Sequence, residues 1–139
     1  MLELFPLEKA LRSLEESLSI YASGIVPMGS SAEKLFRDGI IQRFEYTFEL
    51  SWKMIKRFFD MYGIEKVDAF TNKQFFRLAF EHGLIKDANT WMDYLQRRNL
   101  TSHVYDEEVA RKVYSTVNEF YIDAKTLLMN LEIQINDQS

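Results

Sequence analysis

Leu7, Leu11, Leu14, Leu18 and Tyr21 recur at steps of three and four residues, with polar and charged positions between them. That period lays one apolar stripe along a helix. Pro6 stands where a first helical turn tolerates a missing amide hydrogen, so a first helix is predicted over about 6–22. "SGIVPMGSS" follows, with one Pro and two Gly. It reads as a loop between helices, too short for a domain linker. Ser30 and Glu33 have the spacing of a capping box. Ile41, Phe44, Phe48, Trp52, Ile55 and Phe59 then hold one face of a long second helix, predicted over about 31–62. Gly63 is placed to end it, and Gly39 is a place for a bend or a late start. Thr71 with Gln74 makes another capping box, opening a short third helix that Gly83 closes. Asp87 can cap a fourth helix carrying Trp91, Tyr94 and Leu95. Asp106, followed by Glu107 and Glu108, suits the positive end of a fifth helix. Val109, Val113, Val117, Phe120, Ala124, Leu127, Leu128 and Leu131 carry that helix to about residue 133. The closing "NDQS" is expected to fray. Strand patterning is weak throughout. The pattern predicts an all-α protein, an antiparallel up-and-down bundle of four main helices plus one short helix.

Composition narrows the chemistry. The 139 residues suit one domain, 1–139, with 47% hydrophobic and 27% charged residues in a globular balance. With no cysteine, disulfides and Cys-based zinc sites are excluded. The two histidines, His82 and His103, form no HxxxH or HExxH pattern, so no metal is called for. No apolar run is long enough to span a membrane. The acidic Glu3 and Glu8 stand where a signal peptide would be basic, so the expected location is cytoplasmic. A net charge of −4 argues against a general nucleic-acid coat protein, yet it leaves room for a small local basic site.

That leaves "RRNLTSHVYD", residues 97–106, as the densest candidate chemistry. On an unbroken helix Arg98 and His103 would point about 140° apart. "NLTS" between them is turn-prone. A break there brings His103 back toward Arg98. An extended "HVY" then puts His103 and Tyr105 on one side and Val104 on the core side. The spacing permits a cluster of guanidinium, imidazole and phenol without requiring it.

"RNLTSHVYD" resembles the Arg-x4-His-x-Tyr motif of HEPN domains. "IIQRFEYTFELSWK" and "WMDYLQRRNLTSHVYDEEVA" look like a narrower group within them, the nucleotidyltransferase substrate-binding proteins. The resemblance covers nearly the whole chain in order and helix layout. It implies a helical bundle that forms homodimers and binds a minimal nucleotidyltransferase encoded nearby. In related HEPN toxins the paired Arg and His form a metal-independent ribonuclease, and the transferase, as antitoxin, attaches AMP to the motif tyrosine. By motif position those roles fall on Arg98, His103 and Tyr105. No cofactor is implied. The alternative, recorded in the narrower group's name, is a non-catalytic subunit that binds a nucleotide or other substrate for the transferase.

The residue types suit RNA cleavage. RNA supplies its own 2′-hydroxyl nucleophile. A neutral imidazole can take that proton and an imidazolium can protonate the leaving 5′-oxygen. An arginine fork can hold the phosphate and stabilise its transition-state charge. Asn99 and Ser102 are candidates to orient the phosphate or the imidazole. Against this, a lone histidine at a helix junction is more often a cap or turn residue, and the resemblance is what reverses that weighting. Asp106 reads as a cap. Glu45 and Glu49 share a helix face, with Glu49 expected to pair with Lys53. Lys53, Lys56 and Arg57 read as a solvated helix face. Ile40, Tyr46, Phe58 and Met61 lie off the main stripe of the second helix. They would add exposed apolar surface to a monomer, which points to a twofold homodimer.

Overall fold

The computed structural model describes residues 2–138. Its helices are α1 (Phe5–Ala22), α2 (Ser31–Met61), α3 (Asn72–Glu81), α4 (Ala88–Asn99), α5 (Glu107–Tyr114) and α6 (Val117–Gln138). A 3-10 turn, Thr101–His103, links α4 to α5. Among the described residues there is no strand, and the chain is an all-α bundle as the period predicts.

The helix starts follow side-chain chemistry. The Ser30 hydroxyl accepts from the Glu33 amide at 3.1 Å, but the Glu33 carboxylate reaches back to the Gly29 amide, one residue earlier than a reciprocal box would have it. Thr71 and Gln74 do exchange both bonds, at 3.1 and 2.8 Å. Asp87 caps α4 through the Asn89 amide. Gly63 and Gly83 stop α2 and α3 at φ +61° and +72°, where a Cβ would be strained. α2 begins well before Gly39 and is unbroken there, and the Gly39 carbonyl accepts from the Arg43 guanidinium at 3.0 Å.

The expected fifth helix is two helices. Ser115 and Thr116 separate α5 from α6, and each hydroxyl bonds a carbonyl three residues back, at 2.7 and 2.9 Å. Such side-chain bonds compete with the helix ladder and break it locally. The apolar stripe hides the break, because Ala110, Val113, Val117 and Phe120 stay buried on both sides of it. α6 also continues to Gln138, so the segment expected to fray is helical as far as the description reaches. Ser139 lies outside the described residues.

α2 is the central element. α1 and α6 pack on it, and so do α4 and α5; α3 packs on α4. This explains two apolar residues that lie off the main stripe. Ile40 and Phe58 are fully buried within the one chain, not held out for a partner. Only Tyr46 and Met61 of that set are exposed. The core centres on rings: Phe120 lies 4.9 Å from Phe44, 5.7 Å from Trp91 and 5.2 Å from Tyr94 between centroids, at interplanar angles of 85°, 68° and 84°. Edge-to-face contacts of this kind add to area burial. The Tyr94 hydroxyl donates to Asp123 at the core's edge, and burial followed by that carboxylate pushes its pKa up.

Candidate functional site

α4 ends at Asn99 and the backbone tightens into the 3-10 turn. The His103 amide donates to the Leu100 carbonyl at 2.9 Å, and the Asp106 amide to the His103 carbonyl at 3.1 Å. Val104 therefore sits at φ −74°, ψ −5°, and the expected extended "HVY" is instead a chain of tight turns. Val104 still packs against the core. Asp106 is the cap it was read to be: its carboxylate accepts from the Glu108 and Val109 amides at 2.9 and 3.2 Å.

The turn brings His103 and Tyr105 together by a different route. The imidazole Nδ1 lies 3.4 Å from the Tyr105 hydroxyl, and the rings meet edge to face at 6.0 Å. Tyr105 is 84% exposed, so its ring stands in solvent and not in the core. With Nδ1 facing the phenol, Nε2 is the nitrogen left for other work. Asn99 and Ser102 are exposed too, and their side chains have no partner among the described residues.

Arg98 is anchored elsewhere. Its Nε lies 2.5 Å from Glu49 Oε1 on α2, an ion pair that is not aligned as a hydrogen bond. No hydrogen bond or ion pair joins Arg98 to His103 among the described residues. Glu49 thus pairs with the motif arginine rather than with Lys53, because the antiparallel contact of α2 and α4 offers it a guanidinium. One turn earlier on α2, Glu45 accepts from the Thr101 hydroxyl, which also lies 2.7 Å from the Arg98 carbonyl. Thr101 is buried. Glu45, Glu49 and Thr101 are therefore part of the site's framework, a role that sequence reasoning gave to none of them. The i, i+4 carboxylates were visible as a pair, and Thr101 stands inside the motif spacer. The register between α2 and α4 that joins them has no local signature.

A third tether lies beyond the motif. Arg37 on α2 grips both oxygens of Glu107, the first residue of α5, at 2.9 and 2.8 Å. The guanidinium bond, assisted by the charges of Arg37, Lys34 and Arg111, lowers the Glu107 pKa, and the same bond raises that of Arg37. Among the described residues no three His, Asp or Glu side chains come together as a metal-binding group. No helix there is long and apolar enough to cross a membrane.

Comparison with known proteins places this geometry. The family model described as "Nucleotidyltransferase substrate binding protein like" matches residues 2–133. A curated Haemophilus influenzae protein named "Probable ribonuclease HepT" is 41% identical over 95 residues. That match takes in 67% of this chain and spans 65% of the relative's own length. A solved Haemophilus influenzae structure, described as revealing the fold of a substrate-binding domain of a nucleotidyltransferase, matches with a TM-score of 0.85 at 36% identity, over 94% of this chain and 99% of that one. A crystal structure of a Thermus thermophilus protein matches with a TM-score of 0.72 at 31% identity, over 90% and 98% of the two chains.

Proposed function

The chain belongs to the nucleotidyltransferase substrate-binding-protein-like family, and from that premise we propose that it is the HEPN-type partner of a minimal nucleotidyltransferase and a metal-independent endoribonuclease. The observation that carries the reading is the exposed pair of His103 and Tyr105, 3.4 Å apart on a tight turn. An Nδ1–H donated to the phenol oxygen leaves the Nε2 lone pair free to take the proton of an RNA 2′-hydroxyl. The 2′-oxygen attacks the phosphorus, the bond to the 5′-oxygen breaks, and the imidazolium formed by taking the 2′-hydroxyl proton gives that proton to the leaving 5′-oxygen. The products are a 2′,3′-cyclic phosphate and a 5′-hydroxyl. Arg98, held at its Nε by Glu49, keeps its terminal nitrogens for the phosphate oxygens. Asn99 and Ser102, unpartnered beside it, orient the phosphate.

The exposure of Tyr105 supports the second half of the proposal. Its phenol oxygen attacks the α-phosphorus of ATP on the transferase, pyrophosphate leaves and the phenolic proton is lost. The resulting phosphodiester adds bulk and a negative charge on the oxygen that stands 3.4 Å from the imidazole, so one modification blocks the site sterically and electrostatically. An acid–base pair on an open turn also lets water in freely. A second copy of the chain, set across a twofold axis, supplies the missing wall.

Incubation of the unmodified protein with RNA in EDTA tests the reading. Wild type is expected to leave 2′,3′-cyclic phosphate ends, and His103→Ala and Arg98→Ala to lose about 10²–10⁴-fold in rate with unchanged helical circular dichroism. Equal cleavage by the His103→Ala protein defeats the assignment. A second reading, a binding subunit without catalysis, is favoured by the description of the Haemophilus structure as a substrate-binding domain. Inactivity of the wild type together with saturable nucleotide binding selects it.

A further inference from the structure

α2 carries three cations beyond the motif-facing carboxylates, Lys53, Lys56 and Arg57. The structure sorts them. Lys56 Nζ lies 3.0 Å from Asp60 and 3.2 Å from Asp68, and those bonds raise its pKa. Its charge is matched within the fold. Lys53 and Arg57 are exposed, and neither has an ion pair or hydrogen bond among the described residues. Their charges have no internal use.

Their placement is specific. Glu49, Lys53 and Arg57 stand at successive four-residue steps, each advancing about 6 Å and turning about 40° around the helix. Glu49 holds Arg98 at the first of these steps. The Arg98 guanidinium, the Lys53 ammonium and the Arg57 guanidinium thus form a line along α2, leading away from the turn that bears His103. The interval is close to that between successive phosphates of an extended single strand. Three cations against one carboxylate make this line locally positive on a chain whose net charge is −4. A generic solvated face would intersperse its acids, as the Lys56, Asp60 and Asp68 face does.

We infer that Lys53 and Arg57 form a phosphate-binding track for the single-stranded RNA that flanks the scissile bond. The strand runs from Arg98 along α2 toward Met61. The inference rests on the ribonuclease reading, and it gives that reading a substrate class: an unpaired segment several nucleotides long, not a dinucleotide. One row of cations matches one backbone, whereas a duplex presents two.

Binding of a fluorescein-labelled single-stranded oligoribonucleotide, measured by anisotropy from 50 to 200 mM salt, tests it. The parent is the His103→Ala protein, which leaves the oligonucleotide intact. Each lost phosphate contact to a single strand lowers the slope of log affinity against log salt by about 0.7. The Lys53→Ala/Arg57→Ala variant is expected to flatten the slope by about 1.4, so that the parent loses about sevenfold more affinity than the variant over that fourfold salt range. Lys56→Ala is expected to keep the parent slope. On the wild-type background the double variant should raise KM and leave kcat unchanged. A parent slope in the double variant overturns the track while leaving the ribonuclease reading in place. An equal flattening by Lys56→Ala reduces the effect to net charge and overturns it as well. Absence of any salt-dependent RNA binding by the parent overturns the track together with the reading it rests on.

Discussion

Replacing Glu49 with Ala removes the carboxylate that lies 2.5 Å from Arg98 Nε. The effect on stability is small, because the two side chains are 33% and 39% exposed and water already screens the pair. Ion pairs of that kind contribute about 0.2–1 kcal/mol, so Tm should fall by about 4 °C at most. The effect expected on the proposed ribonuclease activity is larger. An untethered arginine regains rotamer freedom worth up to about 2 kcal/mol, and the transition state must take it away again. At about 1.4 kcal/mol per tenfold, kcat/KM should drop by up to about 30-fold. Cleavage of one RNA substrate by Glu49→Ala, Arg98→Ala and the double variant, beside thermal melts of each, measures both quantities. Glu49 acts through Arg98, so adding Glu49→Ala to the Arg98→Ala protein should cost nothing further. Glu49→Gln, which keeps an acceptor oxygen, should fall between wild type and Glu49→Ala. An undiminished kcat/KM, a Tm drop beyond about 10 °C, or further loss on the Arg98→Ala background would refute the positioning role.

Co-incubation with the partner transferase, ATP and magnesium should shift the intact mass by one AMP, and Tyr105→Phe should abolish the shift; an unshifted wild-type mass, with the transferase active on another acceptor, counts against modification at Tyr105. Light scattering at micromolar concentration should give a dimer mass, and a monomer mass rejects the twofold assembly. Because Arg37 holds the Glu107 pKa below the usual carboxylate range, that pair's contribution is complete above about pH 4.3, the unfolded value. It is lost as pH falls through the lowered folded-state value. Melts of wild type and Glu107→Gln should therefore differ near neutral pH and converge in acid, and a pH-independent difference would place the effect elsewhere.

The helices were legible where periodicity and caps agree. Thr71 with Gln74, Asp87 and Asp106 each mark a start that the structure keeps. The break at Ser115–Thr116 was not legible, since Val113, Val117 and Phe120 keep the apolar period across it and two hydroxyls carry the only signal. Ile40 and Phe58 were misread for a related reason. A stripe drawn on one face assumes one buried side, whereas α2 is packed by four other helices. At the site, the composition of "RNLTSHVYD" drew attention to Arg98, His103 and Tyr105, but their partners are long-range. Glu49 and Arg98, or Glu45 and Thr101, meet only through the register of two antiparallel helices, which no local pattern encodes. The same limit hid the difference between Lys56 and its neighbours, because Asp68 lies in the loop beyond α2.

These long-range contacts share a logic: they fix the backbone of a turn whose side chains are exposed. Arg37, Glu45 and Glu49 stand along one helix, and their partners Glu107, Thr101 and Arg98 follow in the opposite chain order. The segment from α4 to α5 is thereby fastened to α2 at three points. Between the last two fastenings lie Ser102, His103, Val104, Tyr105 and Asp106; Val104 is itself packed on the core and Asp106 is held as the cap of α5. His103 and Tyr105 reach solvent from a backbone that has little freedom left. A free loop would have to surrender about 1–2 kcal/mol per residue to present the same two rings each time substrate binds. Here that ordering is completed in folding, with α2 as the rigid reference. It follows that the site's precision resides in the α2 carboxylates and Arg37 as much as in the motif, and that substitutions on α2 should alter the chemistry of residues far away in sequence without unfolding the bundle.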